Sequence, residues 1–86
     1  MPRIVFGDGF LASVKRLDRH ERVLLNEQLK LLQEDVFHPK LHTKLLHGVL
    51  AGLYSFRVGR DYRVLFRFAG DTVILLRAGN RKGIYK

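Results

Sequence analysis

The spacing of apolar residues in the first part of the chain predicts a strand followed by a short helix. The run from Arg3 to Phe6 predicts the strand, and Gly7-Asp8-Gly9 interrupts it, with Asp8 as the expected cap of the helix. Beyond this break, apolar side chains recur at the spacing of one helical face, at Phe10, Leu11, Val14 and Leu17.

A second helix is predicted after Asp18. Asp18 with Glu21 three residues later has the form of a capping box, in which each side chain binds the other residue's backbone amide. His38-Pro39 is expected to end this helix, because a proline disfavours the helical conformation of the residue before it. The two helices are expected to form a hairpin, and a basic connection from Lys40 to Gly52 follows. The apolar face of the second helix is formed by Leu24, Leu25, Leu29, Leu32 and Val36.

Three strand-like runs make up most of the remaining sequence. They span Leu53 to Val58, Tyr62 to Phe68 and Thr72 to Arg77, and a short Ile84-Tyr85 extension follows. The separators Gly59-Arg60-Asp61 and Ala69-Gly70-Asp71 are typical of hairpin turns. The expected fold is therefore α+β, with an N-terminal strand and a two-helix hairpin packed on one face of a small antiparallel β-sheet. All 86 residues are expected to form a single domain.

Alternation along these strands groups several arginines on one face. Because side chains alternate between the faces of a strand, Arg63 lies opposite to the apolar face of its strand, away from the core. A three-residue loop at each turn keeps the apolar faces together, and it pairs Arg57 with Arg63 and Arg63 with Arg77. The result is a predicted row of three arginines across three strands.

Such a row indicates an anion-binding surface. Like charges directly opposite each other destabilise a sheet, so folding alone does not favour this arrangement. A guanidinium can donate a forked pair of hydrogen bonds to a phosphate, which would account for the row. The alternative is that the arginines point apart into solvent or pair with carboxylates of the first half.

The distribution of charge favours a polyanionic partner. The formal net charge is +8, and residues 1–35 contain six basic and six acidic side chains, which cancel. Residues 36–86 contain ten basic residues against Asp61 and Asp71. Clustered cations gain affinity for nucleic acid by displacing counterions from phosphates, although a solvated basic surface is the simpler alternative. A membrane surface fits less well, because the basic half is not an amphipathic helix.

Composition argues against several other classes of protein. The absence of cysteine excludes disulfides and thiolate metal sites. Apolar runs are shorter than the roughly 20 residues of a membrane-spanning helix, and the N-terminus does not resemble a signal peptide, so the cytoplasm is the expected compartment. Two serines, Ser13 and Ser55, lack the context of a nucleophile. No metal or other cofactor is expected, because no ligand spacing is found among His20, His38, His42 and His47.

Tyr85 is a candidate functional residue because it lies near the chain end between Lys82 and Lys86. A tyrosine at this position can pin the tail to the sheet, stack on a nucleobase, or transfer a proton beside cations. The position alone does not decide among these three roles.

Two segments of the second half carry a family resemblance. The first consists of His47-Gly48, Leu53-Tyr54-Ser55-Phe56-Arg57-Val58 and Asp61-Tyr62-Arg63-Val64-Leu65-Phe66. The second is Arg77-Ala78-Gly79-Asn80-Arg81-Lys82-Gly83-Ile84-Tyr85, in which a glycine precedes an arginine and a tyrosine follows. Together they resemble the central strands and the ending of the RelE/ParE superfamily of toxins from type II toxin–antitoxin systems. With the preceding helical hairpin, the resemblance covers nearly the whole chain.

The resemblance implies a toxin whose activity depends on the branch of the family. The RelE-like branch cleaves mRNA, typically on the ribosome, by driving attack of a ribose 2′-hydroxyl on the adjacent phosphate. The ParE-like branch inhibits DNA gyrase and is not a nuclease. We expect an endoribonuclease of the first branch, with a cognate antitoxin, mRNA and the ribosome as partners and no small-molecule cofactor. A gyrase inhibitor and an inactive relative with the same fold are the alternatives.

Four catalytic residues follow from the resemblance by position. Arg63 matches the middle-strand arginine, and Tyr85 matches the terminal tyrosine. Arg81 matches the arginine, or the histidine of other members, that follows the last core strand, and as an arginine it cannot supply that histidine's general base. Arg57 falls where a strand lysine often stands, and Ser55 where such nucleases can carry another lysine. The RNA backbone is expected to be held by Lys44, His47, Arg60, Arg77 and Lys82.

The chemistry expected of these residues follows from their protonation. An arginine stays protonated at neutral pH, so Arg57, Arg63 and Arg81 are expected to stabilise negative charge on the phosphate. Tyr85 is then the candidate for proton transfer, as general base or general acid.

Overall fold

A computed structural model describes residues 2–85, and its elements follow the predicted order. The strands and helices are β1 (Arg3–Phe6), α1 (Asp8–Val14), α2 (Arg19–Glu34), β2 (Lys44–Leu45), β3 (Tyr54–Val58), β4 (Tyr62–Ala69) and β5 (Thr72–Asn80). Short 3₁₀ turns at Pro39–Leu41 and Gly48–Leu50 flank β2. The predicted α+β class is confirmed. Within residues 2–85, no helix combines the length and apolar character that crossing a membrane requires.

The five strands form one sheet in the order β1-β5-β4-β3-β2. Strands β2 to β5 pair in antiparallel fashion, whereas β1 runs parallel to β5, with Ile4 opposite Val73. The sheet is therefore mixed rather than antiparallel as expected. A parallel pair needs a long crossover connection, and here the two helices and the three other strands separate β1 from β5 in the chain. The pattern of apolar residues in one short strand does not show which other strand it pairs with.

Helix α1 begins differently from the prediction. Gly7 occupies the cap position and Asp8 is the first helical residue, so the expected cap at Asp8 is wrong. The Gly7 amide donates to the Leu75 carbonyl oxygen at 2.9 Å, and a Cβ at Gly7 would lie 2.7 Å from that oxygen. The chain passes β5 too closely at this point for any residue larger than glycine.

Helix α2 begins as predicted but ends earlier. The capping box is present, with both hydrogen bonds between Asp18 and Glu21 at 2.8 Å. A further hydrogen bond to Glu21 raises the pKa of Tyr62, which links the start of α2 to β4. The helix ends at Glu34 rather than at His38-Pro39, and Pro39 begins a 3₁₀ turn instead.

The main core lies between the helices and one face of the sheet. Phe56 and Phe66 lie there on neighbouring strands with ring centroids 5.9 Å apart, and Tyr54 stacks on Phe66 at 5.5 Å. The predicted apolar faces of the middle strands are thereby confirmed. The largest fully buried side chains are Phe10, Phe56, Phe66, Leu32, Leu41, Leu75, Val64 and Val73.

The hairpin between β3 and β4 has the predicted register. Val58 lies opposite Tyr62, and Arg57 lies opposite Arg63, as a three-residue loop requires. The loop begins with Gly59 at φ +64°, a conformation that favours glycine. The choice of register by burial of the apolar face is therefore confirmed at this hairpin.

The register between β4 and β5 differs from the prediction. The turn contains two residues rather than three, and a bulge beside Leu65 shifts the pairing by one further residue. Arg77 consequently lies opposite Leu65, and Gly79 lies opposite Arg63. The predicted row of Arg57, Arg63 and Arg77 is wrong, because the third position of that row is Gly79.

The bulge has a clear physical cause. It keeps Leu75 and Ala78 both on the buried face, although they are three positions apart along β5. The Ala78 amide donates to the Ser13 hydroxyl at 2.8 Å, and that hydroxyl donates to the Phe10 carbonyl at 2.8 Å. Ser13 thus joins α1 to the irregular part of β5, a contact between distant segments that strand alternation does not reveal.

Candidate functional site

The sheet face away from the helices is partly covered by a second apolar cluster. Leu46, Leu65 and Ile84 are buried in it. The C-terminal segment after β5 and the loop around β2 supply most of this cover. The part of this sheet face that stays uncovered, the open face, is therefore a groove rather than a flat surface. The partly buried neighbours of the cluster are Leu50, Leu53, Leu76 and Tyr85.

The C-terminal segment reverses direction at Asn80. The Asn80 carbonyl accepts hydrogen bonds from the amides of Gly83 at 3.0 Å and Ile84 at 2.9 Å. The Asn80 side-chain oxygen accepts from the Lys82 amide at 2.9 Å. Ile84 can fold back because Gly79 has no side chain, and a Cβ there would lie 3.1 Å from the Ile84 Cδ1. This turn brings Tyr85 over the sheet.

Tyr85 is held against β3. Its hydroxyl donates to the Ser55 Oγ at 3.3 Å, and Ser55 is only 2% exposed. Ser55 lies between Lys44 on β2 and Leu65 on β4. Tyr85 thereby lines the same groove as Arg57 and Arg63.

Arg63 is a buried charge, with 9% of its surface exposed. Its Nη1 donates to the carbonyl oxygens of Tyr62 at 2.8 Å and Arg60 at 3.1 Å. Both hydrogen bonds start from Nη1, so Nε–H and the Nη2 hydrogens can donate to a ligand. The hairpin backbone thus fixes the position of this guanidinium.

Two further arginines lie near Arg63. Arg57 is exposed and lies directly opposite it on β3. The amide of Arg81 donates to the Asp61 carbonyl at 2.7 Å, which ties the C-terminal segment to the same hairpin loop. Three arginines from separate segments are thereby gathered at one end of the open face.

These side chains line one groove of about 420 Å³, the cationic groove. Among the described residues that line it, five are lysine or arginine and none is acidic. Forked donors in a concave site of one charge sign suit a phosphate group. All four residues predicted to be catalytic meet here, together with Lys44 and Lys82 of the predicted RNA-binding set. The lining residues are His42, Lys44, Ser55, Arg57, Arg63, Arg81, Lys82 and Tyr85.

Three other predicted RNA-binding residues lie outside this groove. The Arg77 Nη2 donates to the Ile84 carbonyl at 2.7 Å, so this side chain pins the C-terminal segment. Arg60 is exposed on the hairpin loop, where its carbonyl binds Arg63. His47 lines an adjoining groove. Contact of these three residues with RNA stays a prediction.

Two groove residues were not predicted as site residues. Ser55 shares the face of Arg57 by alternation, which was the available signal, but its contact with Tyr85 depends on the return of the C-terminal segment. His42 reaches the groove from the 3₁₀ turn at Pro39–Leu41, where it adopts a left-handed φ of 50°. No sequence pattern predicts that conformation at a histidine.

The donors of the groove suit an anion. Lysine and arginine offer N–H groups and no lone pairs for a cation. Over residues 2–85, no cluster of three or more His, Asp or Glu side chains is arranged to hold a metal ion.

Solved structures with the same fold include toxins and antitoxin–toxin complexes. A chain of the RelB–RelE antitoxin–toxin complex from Methanococcus jannaschii is 29% identical, with 94% of each chain covered and a TM-score of 0.77. YafQ from E. coli is 14% identical over the whole of both chains, with a TM-score of 0.81. The YoeB/ParE toxin from Agrobacterium tumefaciens is 17% identical, with 92% of this chain and 98% of that chain covered and a TM-score of 0.76. No protein-family model and no curated protein sequence matches the chain.

The fold and the groove define a small basic protein with a cationic cleft on its sheet. The chain has the fold of the RelE, YafQ and YoeB/ParE toxins that these structural neighbours represent. The family resemblance of its two C-terminal segments is confirmed at the level of the fold.

Proposed function

We propose that this protein is the toxin of a toxin–antitoxin pair and that it cleaves ribosome-bound mRNA in the cationic groove. The observation that carries the proposal is the convergence of Arg57, Arg63, Arg81 and Tyr85 in one groove. These residues come from three separate segments of the chain. Folding alone does not account for their meeting, because like charges placed together cost stability.

The proposed reaction is attack of a ribose 2′-oxygen on the adjacent phosphorus. The O2′–P bond forms, the P–O5′ bond breaks, a proton leaves O2′ and a proton reaches O5′. The products are a 2′,3′-cyclic phosphate and a 5′-hydroxyl. Tyr85 carries the proposed proton transfer, as base at O2′ or as acid at O5′.

The arginines act on the charge of the phosphate in this mechanism. Negative charge builds up on the non-bridging oxygens as the new bond forms, and fixed donors stabilise it without reorganising. Arg63 is suited to this role because two backbone carbonyls already hold its Nη1. Arg57 and Arg81 are exposed, and they would close on the phosphate from β3 and from the C-terminal segment. Lys44 and Lys82 would bind neighbouring phosphates.

The test is cleavage of a defined mRNA programmed on purified ribosomes, mapped by primer extension. Discrete cuts with cyclic-phosphate and 5′-hydroxyl ends are expected. Arg81→Ala should abolish most cutting, whereas Arg67→Ala changes an exposed arginine of β4 outside the groove and should not. Intact mRNA together with blocked DNA supercoiling by gyrase would contradict the nuclease and support the gyrase inhibitor.

A protein antitoxin is the proposed partner. One structural neighbour is a chain of a RelB–RelE antitoxin–toxin complex. The net charge of +8 favours an acidic or amphipathic antitoxin segment, laid over the cationic groove or added to a sheet edge. Co-expression with a small neighbouring gene product should yield a complex that weakens at high salt. A toxin that cells tolerate with no such partner encoded nearby would contradict this part of the proposal.

A further inference from the structure

A second groove adjoins the cationic groove and shares two residues with it, Lys44 and Tyr85. Its volume is about 390 Å³, and we refer to it as the loop groove because residues 44–50 form most of its wall. Its lining is largely aliphatic, in contrast to the cationic groove. The lining residues are Lys44, Leu45, Leu46, His47, Val49, Leu50 and Tyr85.

The loop groove exposes apolar side chains that the fold does not use. Val49 is 97% exposed and Leu45 is 45% exposed. The 3₁₀ turn that carries Val49 begins with Gly48 at φ +71°, and Gly52 at φ +90° follows shortly after it; both conformations favour glycine. Leu46 is buried in the second apolar cluster and fixes the loop to the sheet. The chain therefore presents Val49 from an anchored loop without packing it into either core.

We propose that the loop groove holds a nucleobase of the RNA, from a nucleotide that flanks the cleaved phosphate. This inference rests on the proposed function, since it takes the phosphate to lie in the cationic groove. The base and the phosphate of one nucleotide are joined through a single ribose, and Tyr85 lines both grooves. One nucleotide can therefore place its phosphate in one groove and its base in the other.

The chemistry of the loop groove fits a base better than a phosphate. An aromatic ring and aliphatic side chains accept the face of any base, because each base has an apolar π-surface. Lys44, at the junction of the two grooves, can follow the backbone. His47 can donate or accept a hydrogen bond at the edge of the base, since a neutral imidazole has one nitrogen of each kind. Val49 thus supplies contact area, and His47 supplies discrimination among bases.

The experiment compares the unmodified protein and its variants on intact and abasic RNAs in single-turnover cleavage on programmed ribosomes. Val49→Ser is the test variant, and Val23→Ser is the matched control because Val23 is a half-exposed valine of α2 outside the groove. The RNAs carry either a normal nucleotide or an abasic one, placed in turn on each side of the cut. Val49 is almost fully exposed, so circular dichroism should show an unchanged fold.

The expected outcome is a loss that depends on the base. For the unmodified protein, an abasic nucleotide on one side of the cut should lower cleavage by about 5- to 100-fold. Val49→Ser should lower cleavage of intact RNA by roughly 5-fold and should make little further difference on the abasic RNA, because both changes remove the same contact. Val23→Ser should behave like the unmodified protein. His47→Ala should reduce the differences in rate among RNAs with different bases at that position.

Two results would overturn the inference in distinguishable ways. In the first, Val49→Ser slows cleavage of intact and abasic RNA by the same factor, or changes neither rate. Either outcome would show that no base occupies the loop groove. An unmodified protein that cuts none of the RNAs would overturn the proposed function itself, and the base-binding role with it.

Discussion

The Tyr85 hydroxyl donates a hydrogen bond of 3.3 Å to the Ser55 Oγ, across the open face of the sheet. Ser55 is buried in β3, so this contact fixes the position of Tyr85, which belongs to the short segment that follows β5. The hydroxyl oxygen keeps its lone pairs for a second partner. In the proposed mechanism, Ser55 is a positioning residue for the group that transfers the proton.

Tyr85→Phe should separate proton transfer from stacking. The substitution keeps the ring and removes the hydroxyl, so cleavage should fall by about 10²–10⁴-fold if the hydroxyl moves a proton. Ser55→Ala removes only the positioning hydrogen bond and should cost much less. Single-turnover cleavage on ribosomes measures both. A small loss in Tyr85→Phe beside a large loss in Tyr85→Ala would assign the residue to stacking instead.

Arg63→Ala should lower both cleavage and stability. Cleavage should fall by about 10²–10³-fold, the scale for loss of one fixed donor to transition-state charge. Strand alternation by itself places Arg63 away from the core and predicts that truncation spares the fold. However, the side chain is buried and satisfies two backbone carbonyls, so the free energy of unfolding should fall by about 1–3 kcal/mol. Arg63→Lys should recover part of the activity, because an ammonium cannot make the forked contact.

Arg67→Ala is the matched control for Arg63→Ala. Arg67 belongs to the same strand, where it is exposed, and it does not line the cationic groove. Urea unfolding of both variants reports stability, and single-turnover cleavage reports activity. A folded Arg63→Ala variant that cuts at the unmodified rate would be incompatible with the proposed site.

Gly79→Val should displace the C-terminal segment. A side chain at this position would press on Ile84, whose Cδ1 would lie 3.1 Å from the new Cβ. Overpacking of this kind costs about 1–3 kcal/mol, which lowers the melting temperature by about 4–8 °C per kcal/mol in a domain of this size. Cleavage should fall as well, since Ile84 precedes Tyr85.

The control for Gly79→Val is Gly83→Val. A Cβ at Gly83 would meet no heavy atom within 4 Å, and this glycine has no positive φ. Thermal unfolding and cleavage should therefore change less than in the first variant. Equal losses in the two variants would show that contact with Ile84 is not what requires glycine at position 79.

RNA binding should depend strongly on salt. Five lysine and arginine side chains line the cationic groove. If all five contact phosphates of a single strand, log affinity should fall with log salt at a slope of about −3.5. Arg81→Ala should reduce the slope by about 0.7. Titration of a 2′-deoxy-substituted mRNA on ribosomes measures the slope. A slope near zero would show that the groove does not contact phosphates.

Several features of this structure can be predicted from the sequence because each depends only on residues that are close together in the chain. The capping box at Asp18 and Glu21 needs only neighbouring residues. The register that pairs Arg57 with Arg63 follows from period-two alternation and a short loop, because the apolar face must stay buried. The family resemblance named Arg81 and Tyr85 from a short C-terminal motif, without any knowledge of their surroundings.

Contacts between distant segments were decided only by the tertiary structure. Parallel pairing of β1 with β5, and the bulge that Ser13 stabilises from α1, both depend on packing that no local pattern records. The bulge moves Arg77 out of the predicted row and places Gly79 opposite Arg63, and Gly79 gives Ile84 the space to fold back. The sequence determined which side chains are suited to a phosphate. The packing of the C-terminal segment on the sheet determined that they meet in one groove, because that contact joins residues remote in the chain.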